Sequence, residues 1–212
     1  GVPFSDRLKF RTDGVQWVML SLYRSLTAVA SPAIRAYLAR RASTGKEDPA
    51  RMSERYGHAS VIRPEGKLVW IHAASVGESL SMLSLIHRLE ADWPGLNLMI
   101  TTGTVTSARI LASRLPIRVI HQFVPLDRGR WVRKFFDHWQ PDLVLWVESE
   151  FWPNMLCEIG SRRIPSILVN ARVSPKSYDG WRKWPALIGR LLNNFELCLA
   201  QTEDDAQKLK DL

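Results

Sequence analysis

Cysteine is scarce in this chain, and the glycine-rich signatures that cradle nucleotides are missing. Of 212 residues only two are cysteines, Cys157 and Cys198, both in apolar settings (MLCEI and ELCLA). No C-x-x-C pair and no Cys/His spacing suited to zinc occurs. A disulfide scaffold is therefore excluded, a reduced compartment is the economical reading, and no metal is expected. G-x-G-x-x-G and G-x-x-x-x-G-K-[ST] are also lacking, which removes the dinucleotide turn and the P-loop. No repeat or low-complexity segment is visible. No charge-free apolar run reaches the roughly 20 residues of a membrane span. A signal peptide is not expected, because no small-residue cleavage site leads into a mature domain.

What is present is ordinary globular usage, 46% hydrophobic and 24% charged, enough for one large domain or two small ones. The net charge of +8 points to an acidic partner: nucleic acid, anionic lipid or a phosphorylated small molecule. The stretch "VQWVMLSLYRSLTAVASPAIRAYLA" (15–39) is largely apolar but carries Arg24, Arg35 and a central Pro32, and it ends at Arg40 and Arg41. It reads as two amphipathic segments lying in a membrane interface, with the arginines reaching head groups. The alternative is a helical hairpin packed on the protein itself or on a second chain. "STGKEDPARMSERYG" (43–57) reads as a polar connector, so a boundary falls there.

Beyond it, apolar runs recur at 67–74, 97–102, 117–121, 142–147, 165–170 and 196–201. Segments of helical period separate them, at 78–91, 104–114, 127–139, 151–162 and 181–194. A last helix opens at Thr202 or Glu203, with acids in its first turn. Continuous apolar strands alternating with helices predict a parallel sheet covered on both faces, a doubly wound, Rossmann-like α/β domain. Ligands of such sheets sit beyond the carboxyl ends of the strands. That rule collects Ser75, Gly77 and Glu78 after the first run. After the second it collects Thr101, Thr102, Thr104, Thr106, Ser107 and Arg109, and after the third His121. The fourth contributes Glu148, Glu150, Trp152 and Asn154; the fifth contributes Asn170, Arg172, Ser174, Lys176 and Ser177.

Glu78 stands at a strand-to-helix turn. An acid there complements the helix dipole and would repel a phosphate, which leaves two readings: a dipole-complementing residue, or a proton acceptor facing a neutral hydroxyl. Glu148 and Glu150, two apart at a strand end, can share a face. They could bind metal, hold sugar hydroxyls, or pair with Arg172 or Lys176. Asn170 and Arg172 suit recognition of a hydroxyl and of an anionic group. His72, inside an apolar strand, reads as a satisfied core histidine, and His87, His121 and His138 are isolated. "RGRWVRK" and "WRKW" mix aromatics with basic residues, but their spacing fits solvated helix faces rather than a nucleic-acid groove.

Taken together these segments resemble the bacterial Kdo transferases, which add 3-deoxy-D-manno-octulosonic acid (Kdo) to a lipid A precursor. The resemblance runs through "LYRSLTAVASP", "GKEDPARMSERYG", "WIHAASVGES", "TTGTVTSAR", "ESEFWPN", "NARVSPKSY" and "LAQTEDDA", in the family's order and over nearly the whole chain. One departure is Glu148-Ser149-Glu150, where an acidic-Thr-acidic motif is usual; both carboxylates are kept. The resemblance implies a GT-B glycosyltransferase of two Rossmann-like domains, with residues 58–212 as the N-terminal acceptor-binding domain. Residues 19–57 would be a membrane-interface segment and connector, and residues 1–18 an upstream extension. The C-terminal donor domain would lie outside this chain, leaving the fragment inactive on its own.

The implied reaction is an inverting transfer from CMP-Kdo to lipid IVA in lipopolysaccharide core biosynthesis. The implied location is the cytoplasmic face of the inner membrane, peripheral or monotopic. Glu78 matches the family's catalytic base. Glu148 and Glu150 would support the site, with Ser75, Gly77, Arg109, Asn170 and Arg172 as substrate-binding candidates. No metal or cofactor is implied beyond the co-substrate CMP-Kdo. The implied partners are the lipid A precursor and an anionic membrane surface, with no nucleic acid. Two other classes stand beside this reading: a non-catalytic glycolipid-binding module on membrane, and another GT-B sugar transferase or an epimerase.

Overall fold

Each buried strand presents one side chain to each face of the sheet in turn, and β1 (Leu68–His72) shows the result. Trp70 and His72 point into one layer, Val69 and Ile71 into the other, and all are buried. The structure, a computed structural model, describes residues 13–148 and 150–212, with side chains from residue 19 onward. Its remaining strands are β2 (Asn97–Thr102), β3 (Ile120–Phe123), β4 (Leu143–Val147), β5 (Ser166–Ala171) and β6 (Leu197–Ala200). All pair in parallel in the order β3-β2-β1-β4-β5-β6. The doubly wound α/β fold expected from the sequence is therefore present. Its strand order reverses between β1 and β4, the switch point where such sheets leave a crevice for ligand.

Helices α3 (Val76–Ser81), α4 (Leu83–Asp92) and α5 (Val105–Ala112) follow β1 and β2, and Met82, Ile86 and Leu111 close the aliphatic layer there. On the opposite face lie α6 (Gly129–Trp139), α7 (Pro153–Ser161), α9 (Pro185–Leu192) and α10 (Glu203–Asp211). They enclose an aromatic core built around Trp70, Trp139, Trp146, Phe135 and Phe136. Thr202 caps α10 as expected, accepting from the Asp205 N–H at 3.1 Å.

Several elements differ from expectation. The third strand begins at Ile120, not 117, because Ile117 is fully exposed in a turn closed by Val119 N–H to Pro116 O. The expected helix 78–91 is two helices meeting at Met82. The expected loop after β5 contains α8 (Pro175–Trp181), started by a Ser174 cap and Pro175, and Pro185 then starts α9 afresh.

The N-terminal stretch forms a hairpin of α1 (Asp13–Val29) and α2 (Ser31–Ser43), broken where Pro32 begins the second helix. It packs on the domain. Leu20 joins the aromatic core, Tyr23 donates to Asp127 at 2.8 Å, and Arg24 donates to Asn154 at 3.4 Å. Arg24 thus faces protein rather than the head groups expected of it, while Arg35 stays exposed and leans on the Tyr56 ring. Away from the domain, Leu22, Leu26 and Val29 form an exposed apolar stripe at helical spacing. Among the described residues no helix is long and apolar enough to cross a membrane.

The segment read as a polar connector holds a 3-10 helix, Pro49–Tyr56, with Asp48 as its cap, Pro49 at its first position and Gly57 in the left-handed region (φ 80°) closing it. A side chain at residue 57 would collide with the Trp131 carbonyl, so only glycine fits. Glu47 and Arg55 are buried there as an ion pair beneath the β2 and β3 loops, and buried Glu54 pairs with Arg51.

Candidate functional site

Glu78 sits in the first turn of α3, directly beyond β1, and is 5% exposed. The Ala74 N–H donates to its Oε2 at 2.7 Å, while its own N–H donates to Ser75 Oγ at 3.3 Å. This reciprocal arrangement is close to a capping box, so the carboxylate does complement the helix start. One oxygen is thereby fixed by the backbone, and burial removes the competing water. Gly77 lies beside it, and among the described residues none crowds the place a side chain there would take.

Across the switch point, the chain leaving β4 brings Glu148 and Glu150 towards Glu78. Desolvation, then the charge of Glu78, pushes both carboxyls up; Arg172 opposes the shift at Glu148 and a Trp152 hydrogen bond opposes it at Glu150. Glu150 is solvent-accessible as a whole, so water screens both the burial and the neighbouring charges there. Glu148 has φ 59° and Asn170, at the end of adjacent β5, has φ 55°. Left-handed backbone is uncommon for a glutamate and costs about 1–3 kcal/mol. Glu148 is thus held against local preference at the end of β4, whereas the asparagine at the end of β5 adopts this region readily.

The other candidates divide. Arg172 is exposed, acting on both Glu148 and Asp205. Arg109 is exposed in the last turn of α5 and is not among the charges that act on the glutamates. Thr104 caps α5, while Thr101 and Thr102 are buried in β2, where they bond His72 and His121. Burial pushes His121 down to about 3, reinforced by Arg51 and Arg55. His72 is also pushed down to about 3 by burial. Only half of its expected satisfaction is present: Nδ1 meets Thr101 Oγ1 at 2.9 Å, and Nε2 has no partner among the described residues. Asn154 is buried, donating to the Asp127 carbonyl and accepting from Arg24. Ser149 lies outside the described residues. Both cysteines are free thiols. Among the described residues no group of three or more His, Cys, Asp or Glu is placed to hold a metal ion.

Sequence reasoning missed the Glu47–Arg55 pair that floors this site. Arg55 donates to the Gly103 carbonyl at 2.6 Å, and the Gly103 N–H donates to the Ala74 carbonyl at 2.9 Å. The pair therefore ties the connector to the loop that carries Glu78. The signal was there in Asp48-Pro49 and Gly57, a helix start and stop inside an apparent linker.

Carboxyls raised in the folded state hold protons that the unfolded chain has released. Their contribution to stability therefore falls as pH rises from the ordinary value of 4.5 through the raised one, and at neutral pH the ionised group is a cost. Glu150→Gln is expected to be at least as stable as wild type at pH 7 by urea unfolding, and to lose part of the pH dependence above 4.5. A clear loss of stability at pH 7 would show Glu150 to be a structural ion-pair partner instead.

Comparison with known proteins adds a family match, two relatives and a solved structure. Residues 50–212 match the family described as 3-Deoxy-D-manno-octulosonic-acid transferase (kdotransferase). A 3-deoxy-D-manno-octulosonic acid transferase of Rickettsia bellii is 35% identical over 194 residues, 92% of this chain and 46% of that protein. The Haemophilus influenzae protein of the same name is 32% identical over 182 residues, 84% of this chain and 42% of that protein. The chain thus spans less than half the length of these relatives. Among solved structures, a provisionally assigned UDP-N-acetylglucosamine 2-epimerase of Listeria monocytogenes superposes with a TM-score of 0.50 at 12% identity. That match covers 69% of this chain and 42% of the other, a likeness of fold alone.

Proposed function

This chain belongs to the 3-deoxy-D-manno-octulosonic-acid (Kdo) transferase family, and from that premise we propose that the full-length protein transfers Kdo from CMP-Kdo to a lipid A precursor, lipid IVA, with inversion. The observation that carries the reading is the buried, backbone-held Glu78 facing Glu148 and Glu150 across the β1/β4 switch point. An inverting displacement needs one base. The acceptor hydroxyl oxygen bonds to the anomeric carbon of Kdo, the bond from that carbon to the CMP phosphate oxygen breaks, and CMP leaves with the electron pair. Glu78 takes the hydroxyl proton.

Ala74 holds Oε2, which leaves the other oxygen of Glu78 to receive that proton. Glu148 and Glu150 accept hydrogen bonds from acceptor hydroxyls, and Arg172 offers its guanidinium to an anionic group on either substrate. This chain supplies the acceptor side, and the donor is bound mainly by a second domain. The Leu22–Leu26–Val29 stripe and the basic end of α2 suit a peripheral or monotopic protein on the cytoplasmic face of an anionic inner membrane.

The test is nucleotide release by the full-length protein. CMP should appear from CMP-Kdo only when lipid IVA is present, and UDP-N-acetylglucosamine offered in parallel should remain unchanged. CMP release indifferent to acceptor, or turnover of the UDP-sugar, would overturn the proposal.

A further inference from the structure

The helix that follows the Glu148–Glu150 segment is not capped by its own residues. α7 begins with Pro153, which has no N–H, and Trp152 at the cap position makes no side-chain bond to the first turn. The cap comes instead from the loop before α6. Asp127 accepts the Asn154 N–H on Oδ2 at 3.0 Å and the Met155 N–H on Oδ1 at 2.9 Å. The Asn154 side-chain amide closes the join by donating to the Asp127 carbonyl at 2.6 Å. A carboxylate in this place also complements the dipole of α7.

The same carboxylate has a third donor, and it comes from the N-terminal hairpin. Tyr23 of α1 donates to Oδ2 at 2.8 Å, and its neighbour Arg24 reaches Asn154 Oδ1 at 3.4 Å. Burial, then the charge of Asp127, pushes the Tyr23 phenol up, so it stays protonated and donates. Burial pushes the Asp127 carboxyl up as well, and its three donors oppose that shift. Towards the crevice, Trp152 hydrogen-bonds the Glu150 side chain and packs edge-on against His72, with ring centroids 5.2 Å apart. On the β4 side the Glu150 carbonyl accepts from Trp146 Nε1 at 3.0 Å. A contiguous set of contacts therefore runs from Tyr23 through Asp127, the first turn of α7 and Trp152 to Glu150. It starts beside Leu22, which is exposed on the outer side of the hairpin.

We infer that Asp127 is a positioning residue: by capping α7 while bonded to Tyr23, it couples the seating of the hairpin to the placement of Glu150. Its effect on acceptor binding rests on the proposed transfer reaction; the coupling itself does not. A hairpin drawn away from the domain takes with it one of the three donors that hold the cap. The crevice then loosens at Glu150, while Glu78 stays fixed by the Ala74 N–H. Binding of the acceptor should suffer from that change, and the proton transfer should not.

The test uses the full-length protein and two nearly isosteric substitutions, Tyr23→Phe and Asp127→Asn. Phenylalanine removes only the hydroxyl; asparagine keeps one acceptor oxygen and turns an amide towards N–H donors. The KM for lipid IVA should rise about threefold in the first and about tenfold in the second, with kcat and the KM for CMP-Kdo little changed. In the double variant the rise should fall short of the product of the two, because Tyr23 acts through the Asp127 carboxylate. Hydrogen exchange read by mass spectrometry needs no turnover: amides of residues 150–158 should exchange faster in both variants, and those of β1 and β2 at the wild-type rate. A merely structural role would lower kcat through loss of active protein, leave KM alone and speed exchange throughout. That outcome, or unchanged exchange at 150–158 in Tyr23→Phe, would overturn the coupling, and Tyr23→Phe decides the matter if Asp127→Asn does not fold. Unchanged exchange would leave Kdo transfer standing, and a protein that transfers no Kdo would still be judged by its exchange.

Discussion

Glu78→Gln in the full-length protein is expected to lower kcat for Kdo transfer by about 10²- to 10⁴-fold, with little change in acceptor KM and none in fold. The substitution separates the two roles that one carboxylate plays. A glutamine oxygen can still accept the Ala74 N–H that Glu78 now accepts at 2.7 Å, so the start of α3 survives. What the amide cannot do is take the proton of an attacking hydroxyl. Transfer within tenfold of wild type would return Glu78 to the role of a helix cap. Glu78→Ala would test less, because it also orphans a buried N–H.

Arg55→Met is expected to cost about 3–5 kcal/mol of stability, the usual penalty for breaking a buried ion pair from one side. Arg55 is 3% exposed, bonds Glu47 through Nε and Nη2, and donates to the Val124 and Gly103 carbonyls. Its removal leaves Glu47, itself 5% exposed, with Arg41 as its remaining ion pair, and leaves two carbonyls without their donor. The loss should appear as a lower urea midpoint with an unchanged slope. Adding Glu47→Gln should recover part of it, since the stranded charge is then gone. A cost below about 1 kcal/mol would mean that water reaches the network and replaces the guanidinium. Transfer should fall as well, because Gly103 links this network to the Ala74–Glu78 loop.

The strands were legible because a parallel sheet buried on both faces writes itself as continuous apolar runs, and LVWIH and LVLWV are such runs. The exception, β3, was displaced by an apolar but exposed Ile117. Glu78, Glu148 and Glu150 were legible as strand-end residues. Their meeting was not, because adjacency of β1 and β4 is a property of strand order, which no local pattern records. The left-handed backbone at Glu148 was equally hidden, since a glutamate gives no local sign of it. Glu47, Glu54 and Arg55 were missed for a different reason. Charges buried in pairs have the same composition as charges in a solvated linker, and only the cap and stop residues around them distinguish the two.

The central claim is that a carboxylate at the β1/β4 switch point deprotonates an acceptor hydroxyl for direct displacement on Kdo. The measurement that tests it most directly is the product of the full-length wild-type protein given CMP-Kdo and lipid IVA, analysed by mass spectrometry and by NMR at the anomeric carbon. The account predicts a lipid product carrying Kdo with its anomeric configuration inverted relative to the donor. A product with retained configuration, or no Kdo on the lipid, would contradict it.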